Sequence, residues 1–222
     1  MISIGIYRWR AVSALSVVAL AAWIAVLAGF DGEGYGIVGF VVAWSVMMVA
    51  LMLPSAMPFI LLYQRGATPS ATARLVAGYL TVWGTFGIAA WALHSAVTDN
   101  MAGMDNKEGT NFPAIAVLLA AGLYQLTPVK HACLRRCRTP ADFLVQRWRA
   151  NAFILGADHG RYCLGCCWAL MAVLVVAGMM GVVWVVAIAA IVAMEKLSSR
   201  GAGLARWTGI ALIALAIRET LA

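Results

Sequence analysis

The sequence predicts an all-α, polytopic transmembrane helix bundle of about seven helices, with its N-terminus on the cytoplasmic side. Three observations carry that expectation. Hydrophobic residues make up 64% of 222 positions and charged residues only 11%, whereas a soluble domain needs about 25% charge to face water. The apolar residues gather into uncharged runs near the roughly 20 residues that cross about 30 Å of hydrocarbon as a helix. The basic residues then fall almost wholly on one side of those runs. The same composition excludes a disordered chain, which is poor in apolar residues, and a small disulfide scaffold, which is far denser in cysteine.

Within a single integral membrane domain, 1–222, the expected spans are 11–30, 36–63, 75–98, 112–131, 160–178, 181–197 and 204–221. Ala11 to Phe30 follows Arg8 and Arg10 as the core of a signal peptide would. With 20 uncharged residues and no polar cleavage region, it reads as a retained helix. The second run carries Pro54 and Pro58 near its end, and the third is interrupted only by His94. The fourth runs from Phe112 through Tyr124-Gln125-Leu-Thr127-Pro128. Tyr162 to Met194 is 33 uncharged residues, about 50 Å as one helix and too long for a single crossing. Gly178-Met179-Met180-Gly181 in its middle divides it into a tight hairpin. The last run has Arg206 and Arg218 near its ends, where long side chains can snorkel outward. Segment 140–156, with Phe143, Leu144, Arg147 and Trp148, reads as an interfacial amphipathic helix. No internal repeat supports an inverted-repeat transporter.

With the N-terminus inside, only Lys107 and Arg218 of the 16 basic residues fall outside, a division of 14 to 2. The outer segments carry Asp31, Glu33, Asp99, Asp105 and Glu108 instead. The asymmetry accounts for the net charge of +7 without a nucleic-acid partner. It assigns the basic residues to topology and to anionic lipid of the bilayer. The expected location is the inner (cytoplasmic) membrane of a bacterial cell, as a multi-pass protein.

Five cysteines occupy two short stretches, His131-Ala-Cys133-Leu-Arg-Arg-Cys137 and His159-Gly-Arg-Tyr-Cys163-Leu-Gly-Cys166-Cys167. The spacing of four puts Cys133 and Cys137 on one helical face, and likewise Cys163 and Cys167, with Cys166 one turn from Cys163. The topology brings both stretches to the cytosolic surface. Any one cysteine in an apolar helix is explained by packing as a small hydrophobe. The set, with His159 beside it, points to a metal or redox site. Cytosolic thiols stay reduced, which favours ligation over structural disulfides. Thiolate, thioether and imidazole together suit a soft ion, Cu(I) first and zinc second.

Eleven methionines include Met47, Met48, Met52 and Met57 in the second span. Met48, Met52 and Ser55 form one stripe at i, i+4, i+7, ending where Pro54 and Pro58 remove backbone donors. That stripe reads as plain packing or as an approach for a metal. Met101 and Met104, flanked by Asp99 and Asp105, read as a mobile loop or an outer collection point. Glu195 ends the sixth span, where an ionisable residue faces the bundle or a wet cavity; Lys196, Lys130 or an arginine near the cysteines could pair with it. Gln125 and Thr127 read as interhelical hydrogen-bonding groups.

Three segments together resemble a known family. They are Trp44-x-x-Met47-Met48-x-Ala50-x-Met52-Leu53-Pro54-Ser55, Tyr124-Gln125-Leu126-Thr127-Pro128-x-Lys130-x-x-Cys133-Leu134-x-x-Cys137-Arg138-x-Pro140, and Cys163-Leu164-Gly165-Cys166-Cys167-Trp168-x-Leu170-Met171. The family is bacterial and consists of predicted metal-binding integral membrane proteins, a domain of unknown function also labelled copper chaperone. The resemblance runs from about Gly39 to Arg218, and Glu195-Lys196 fits its pattern. Leu51 and Gly181 depart from it, where methionine and asparagine are usual. What the resemblance implies is a bound metal.

The expected metal set is therefore Cys163, Cys166, Cys167, Cys133, Cys137, His159, Met48, Met52, Met171 and Glu195. The expected function is Cu(I) binding, passage or hand-off at the cytosolic side, to a soluble metal carrier or a metalloenzyme, with self-association allowed. Two alternatives stay open: a membrane thiol–disulfide oxidoreductase exchanging Cys163/Cys166 with Cys133/Cys137, and a non-catalytic assembly factor with structural zinc. Nothing marks an enzyme of another kind. Paired buried carboxylates for hydrolysis and a Cys-x-x-Cys-His haem signature are both missing. A membrane-impermeant thiol reagent applied to intact cells should leave all five cysteines unlabelled until the membrane is permeabilised. Labelling beforehand would reverse the orientation and favour the oxidoreductase.

Overall fold

The computed structural model describes the backbone of residues 2–30, 36–103, 112–147, 151–177 and 181–221, with side chains from 12 onward in those ranges except 99–103. Among these residues the only regular structure is helical: α1 (Ile2–Leu27), α2 (Gly36–Gln64), α3 (Pro69–Gly103), α4 (Phe112–Gln125), α5 (Pro128–Arg138), α6 (Pro140–Arg147), α7 (Ala152–Val176), α8 (Val182–Leu197) and α9 (Gly201–Leu221). The all-α expectation holds. Four described helices, α2, α3, α7 and α9, are long and apolar enough to cross a membrane, or five if the bent pair α4–α5 makes one span. The 16 residues of α8 give about 24 Å of helix, short of the roughly 30 Å hydrocarbon layer. The Gly178–Met180 turn, Trp148 and Met104 lie outside the described residues, as do the side chains of Asp99 and Met101.

Where hydropathy alone expects an unbroken helix over 112–131, the chain forms α4 and α5, bent by 65°. Thr127-Pro128 supplies the reason. The N–H groups of Leu126 and Thr127 turn back to the carbonyls of Leu123 and Tyr124, at 3.1 and 3.0 Å, tightening and ending α4. Pro128 has no N–H to lose at the first position of α5. Thr127 Oγ1 accepts the Lys130 N–H at 3.2 Å, the N-cap arrangement. Thr127 is thus a cap rather than an interhelical hydrogen-bonding group. Thr68-Pro69 opens α3 in the same way, with Thr68 Oγ1 accepting the Ala71 N–H. Asn151 starts α7 by accepting the Phe153 N–H at 2.9 Å, so this helix begins at Ala152 rather than near 160.

The chain divides into two compact units, Met1–Gly87 with Arg135–Leu164 and Ile88–Leu134 with Gly165–Ala222. In the first, α1 packs along α2, and the short α6 lays buried Phe143 and Leu144 on α2. Trp44 of α2 donates its indole N–H to the Trp83 carbonyl of α3 at 3.0 Å, deep in the core. α3 and α7 approach backbone to backbone. A Cβ on Gly156 would stand 1.9 Å from the Leu75 carbonyl oxygen, and one on Gly78 2.0 Å from that of Phe153. In the second unit, α9 packs against α4 and α8. Gly122 and Gly209 face each other there, with no room for a side chain on either.

Gly156→Ala should lower stability by about 1–3 kcal/mol, because backbone, unlike a flexible side chain, cannot move aside. Gly203 has open space around it, and Gly203→Ala should leave stability unchanged or raise it by up to about 1 kcal/mol through helix propensity. Thermal unfolding of both variants in detergent checks the contrast.

Candidate metal centre

In the first unit the Cys163 thiol lies on the buried face of α7, next to α3. Its sulfur is 3.0 Å from the Tyr79 hydroxyl, which is also 3.3 Å from the Met52 carbonyl oxygen of α2. The chemistry of these three atoms limits their roles. A carbonyl can only accept, and a phenol has one proton to give. While Tyr79 donates to Met52, the sulfur can donate to Tyr79; if the phenol turns to the sulfur, the sulfur accepts instead. Ser55 Oγ donates to the same Met52 carbonyl at 2.9 Å. That satisfies backbone in a stretch where Pro54 and Pro58 remove two donors.

Met48 and Met52 share the stripe expected of them, and both are fully buried. His159, one turn before Cys163 on α7, is buried with its ring stacked on Phe59 at 3.9 Å and met edge-on by Phe143 at 5.6 Å. The aromatic cage holds the imidazole face, and Tyr79 stands 6.0 Å from it. Cys137, also in this unit, is half-buried.

In the second unit Cys133 of α5 meets α7 at Gly165, the residue just before Cys166 and Cys167. Gly165 makes the approach: a Cβ there would lie 2.8 Å from the Cys133 sulfur. The Tyr124 hydroxyl donates to the Gly165 carbonyl, and its ring packs on Trp168 at 5.0 Å. Met171 follows Cys167 by one turn, and Cys166, Cys167 and Met171 are buried.

Glu195 is engaged elsewhere. One carboxylate oxygen accepts from Lys130 Nζ at 2.6 Å and the other from Gln125 Nε2 at 3.0 Å, with both charged side chains at most 2% exposed. Lys130 is therefore an internal counter-ion, which departs from the expectation that the basic residues meet anionic lipid. Gln125 turns its amide to the carboxylate at the expense of its own carbonyl oxygen, which is buried without a partner among the described residues.

All five cysteines are thiols outside any disulfide. Among the described residues no group of three or more His, Cys, Asp and Glu is arranged to hold an ion. The structure thus brings Cys133, Cys166 and Cys167 into one neighbourhood and puts Cys163 beside Tyr79 and the Met52 backbone. Glu195 joins neither group. Sequence reasoning missed Tyr79 and Gly165. A phenol in the apolar run Leu75-Val-Ala-Gly-Tyr79-Leu must find a buried partner, and Gly156-x-x-x-Gly160 just before the cysteines marks close helix packing.

Buried thiols and thioethers therefore lie on a helical protein with several helices long and apolar enough to cross a membrane. The sequence model of the PpoB2 family, described as a copper chaperone, matches residues 41–218, and the chain belongs to that family. No curated protein and no solved structure matches the chain.

Lys130→Met alone should cost about 3–5 kcal/mol, since it strands a buried carboxylate, while Lys130→Met combined with Glu195→Met should recover most of that loss. Chemical unfolding in detergent of the single and double variants measures the difference.

Proposed function

We propose that this protein binds Cu(I) as cargo through buried thiols and thioethers in the bacterial cytoplasmic membrane. It would span that membrane several times with the N-terminus in the cytoplasm, and would pass the ion on or hand it to a soluble carrier or metalloenzyme. The observation that carries the reading is the meeting of two cysteine stretches remote in sequence. Cys133 of α5 rests on Gly165, inside the Cys163-Leu-Gly-Cys166-Cys167 segment. Membership of a copper chaperone family supports copper as the ion.

The donors fit that cargo. Sulfur ligands select soft ions, and Cu(I) is the softest of the common biological ones. A closed structural zinc site needs four ligands, which the described residues do not gather, whereas two thiolates suffice for Cu(I). In the second unit Cys133 and Cys166 would hold the ion, with Cys167 and Met171 as further sulfur donors. In the first unit Cys163 would give up its proton to become a donor. The Tyr79 hydroxyl would then turn from the Met52 carbonyl to the thiolate, so that the sulfur's charge is met by a hydrogen bond. His159 and Cys137 lie in that unit as well, and Met48 and Met52 line α2 beside it. No nucleotide-binding loop occurs in the sequence, so movement of the ion would follow its gradient or a partner's affinity.

Metal content of protein purified anaerobically, with and without added Cu(I), tests the reading. Bound copper should disappear when Cys163, Cys166 and Cys167 are all replaced by serine. Unchanged copper in that variant would refute the thiol site. Zinc in its place would point to a structural role, and metal-free protein with reactive thiols to the oxidoreductase.

A further inference from the structure

Lys130 and Glu195 form a buried ion pair that the reading above does not use. Buried pairs are expensive: each ion loses several kcal/mol of hydration, and apolar replacements are often as stable. Stability alone is thus a weak reason for this pair, and its position offers a better one. Lys130 precedes Cys133 by three residues on α5, so both side chains leave the same face of the helix. Residues three apart on a helix are neighbours, with about 5–6 Å between their Cβ atoms, so the Lys130 ammonium is held close to the Cys133 sulfur.

Loading Cu(I) on two thiols changes the charge of the site. Each thiol releases a proton, Cu⁺ + 2 RSH giving [Cu(SR)₂]⁻ + 2 H⁺, and the product carries one net negative charge. An anion formed away from water is unfavourable unless a fixed positive charge stands near it. We propose that Lys130 is that charge: a positioning residue and not a ligand, whose ammonium stabilises the Cu(I) complex of Cys133 and Cys166. The proposal rests on the Cu(I) reading above and deepens it.

Glu195 and Gln125 complete the device. Before the ion arrives, the ammonium needs a partner in the same buried place, and Glu195 accepts from it at 2.6 Å. Gln125 fixes the other carboxylate oxygen at 3.0 Å, which keeps the pair in register with the face that carries Cys133. Once the cuprate forms, the ammonium lies between two anionic groups, the carboxylate and the loaded sulfurs. Removing the carboxylate then has the opposite effect on the metal from removing the ammonium.

That opposition is the test, read as Cu(I) affinity of the full-length protein in detergent by competition with a coloured Cu(I) chelator. Lys130→Arg keeps the charge and should bind within a few-fold of wild type. Glu195→Gln leaves the ammonium uncompensated and should bind more tightly. Lys130→Gln with Glu195→Gln is neutral and should bind roughly ten- to a hundredfold more weakly than wild type. Lys130→Met with Glu195→Met should match it, and either double variant carries the comparison if another fails to fold. Wild-type affinity in the double variants would overturn the proposal. So would an equal loss in Lys130→Arg and Glu195→Gln, which would mean that only packing matters. A wild type that binds no Cu(I) at all overturns the Cu(I) reading itself, and is recognised before any variant is compared.

Discussion

The buried Lys130–Glu195 pair is the constraint from which the arrangement of the second unit follows. Two ions taken out of water are tolerated only if they meet at short range and their remaining hydrogen-bonding capacity is used. The 2.6 Å contact and the amide of Gln125 meet those terms. Both Gln125 and Lys130 flank the break at Thr127-Pro128. A straight helix would place residues five apart on different faces, since five steps of a 3.6-residue turn overshoot a full turn. The 65° bend lets an amide at the end of α4 and an ammonium in the first turn of α5 reach the same carboxylate. The bend that serves the ion pair also sets the course of α5, and with it the place where Cys133 meets Gly165. Polar satisfaction and thiol placement are two results of one helix break.

The first unit meets the same rule with neutral groups. α2 is uncharged throughout and contains two prolines, each of which strips a donor from the ladder. Ser55 and Tyr79 bring hydroxyls to the Met52 carbonyl in this stretch. Tyr79 can do so because α3 is pressed close to α7, with Gly78 beside it and Gly156 opposite. The price of that closeness is two positions that tolerate no side chain. What it gains is a phenol that joins a thiol to a backbone carbonyl, both polar and both remote from water. A hydroxyl with one proton and two candidate acceptors is bistable in a simple sense, since its direction follows the protonation of Cys163.

The sequence made the helical class legible because hydropathy and charge act over whole segments, and twenty residues average out local exceptions. It also made legible which residues carry soft donors, and that Glu195 needs a partner, with Lys130 among the candidates. Helix ends were harder to read. Hydropathy does not register that Thr-Pro ends one helix and caps the next, so Gln125 and Cys133 were assigned to one continuous run and its edge. The two Thr-Pro junctions that cap α3 and α5 carry a local signal that composition overlooks. The site's inner organisation was least legible. Which thiol meets which depends on glycines at helix crossings, and a glycine announces close approach without naming the partner. Gly165 could have received any small group. That it receives Cys133 is a fact of tertiary packing.

The choice between a soft monovalent cargo and a structural ion turns on coordination number more than on affinity. Sulfur-rich sites bind both copper and zinc, so the presence of thiols does not separate them. Zinc that stabilises a fold is enclosed by four ligands held at fixed angles, and it contributes folding energy by closing that set. Thiols distributed as Cys133 with Cys166 and Cys167 in one unit, and Cys163 with Tyr79 in the other, do not form such a closed set. Each group offers few donors. Ligands of that kind bind a d¹⁰ monovalent ion well enough to keep it from water, yet leave an open side for an incoming sulfur of another group to share it. Transfer between such groups proceeds by ligand exchange, without the ion ever being released. For the Cu(I) cargo proposed above, a donor set too small to trap its ion would suit hand-off, and burial would protect the exchange.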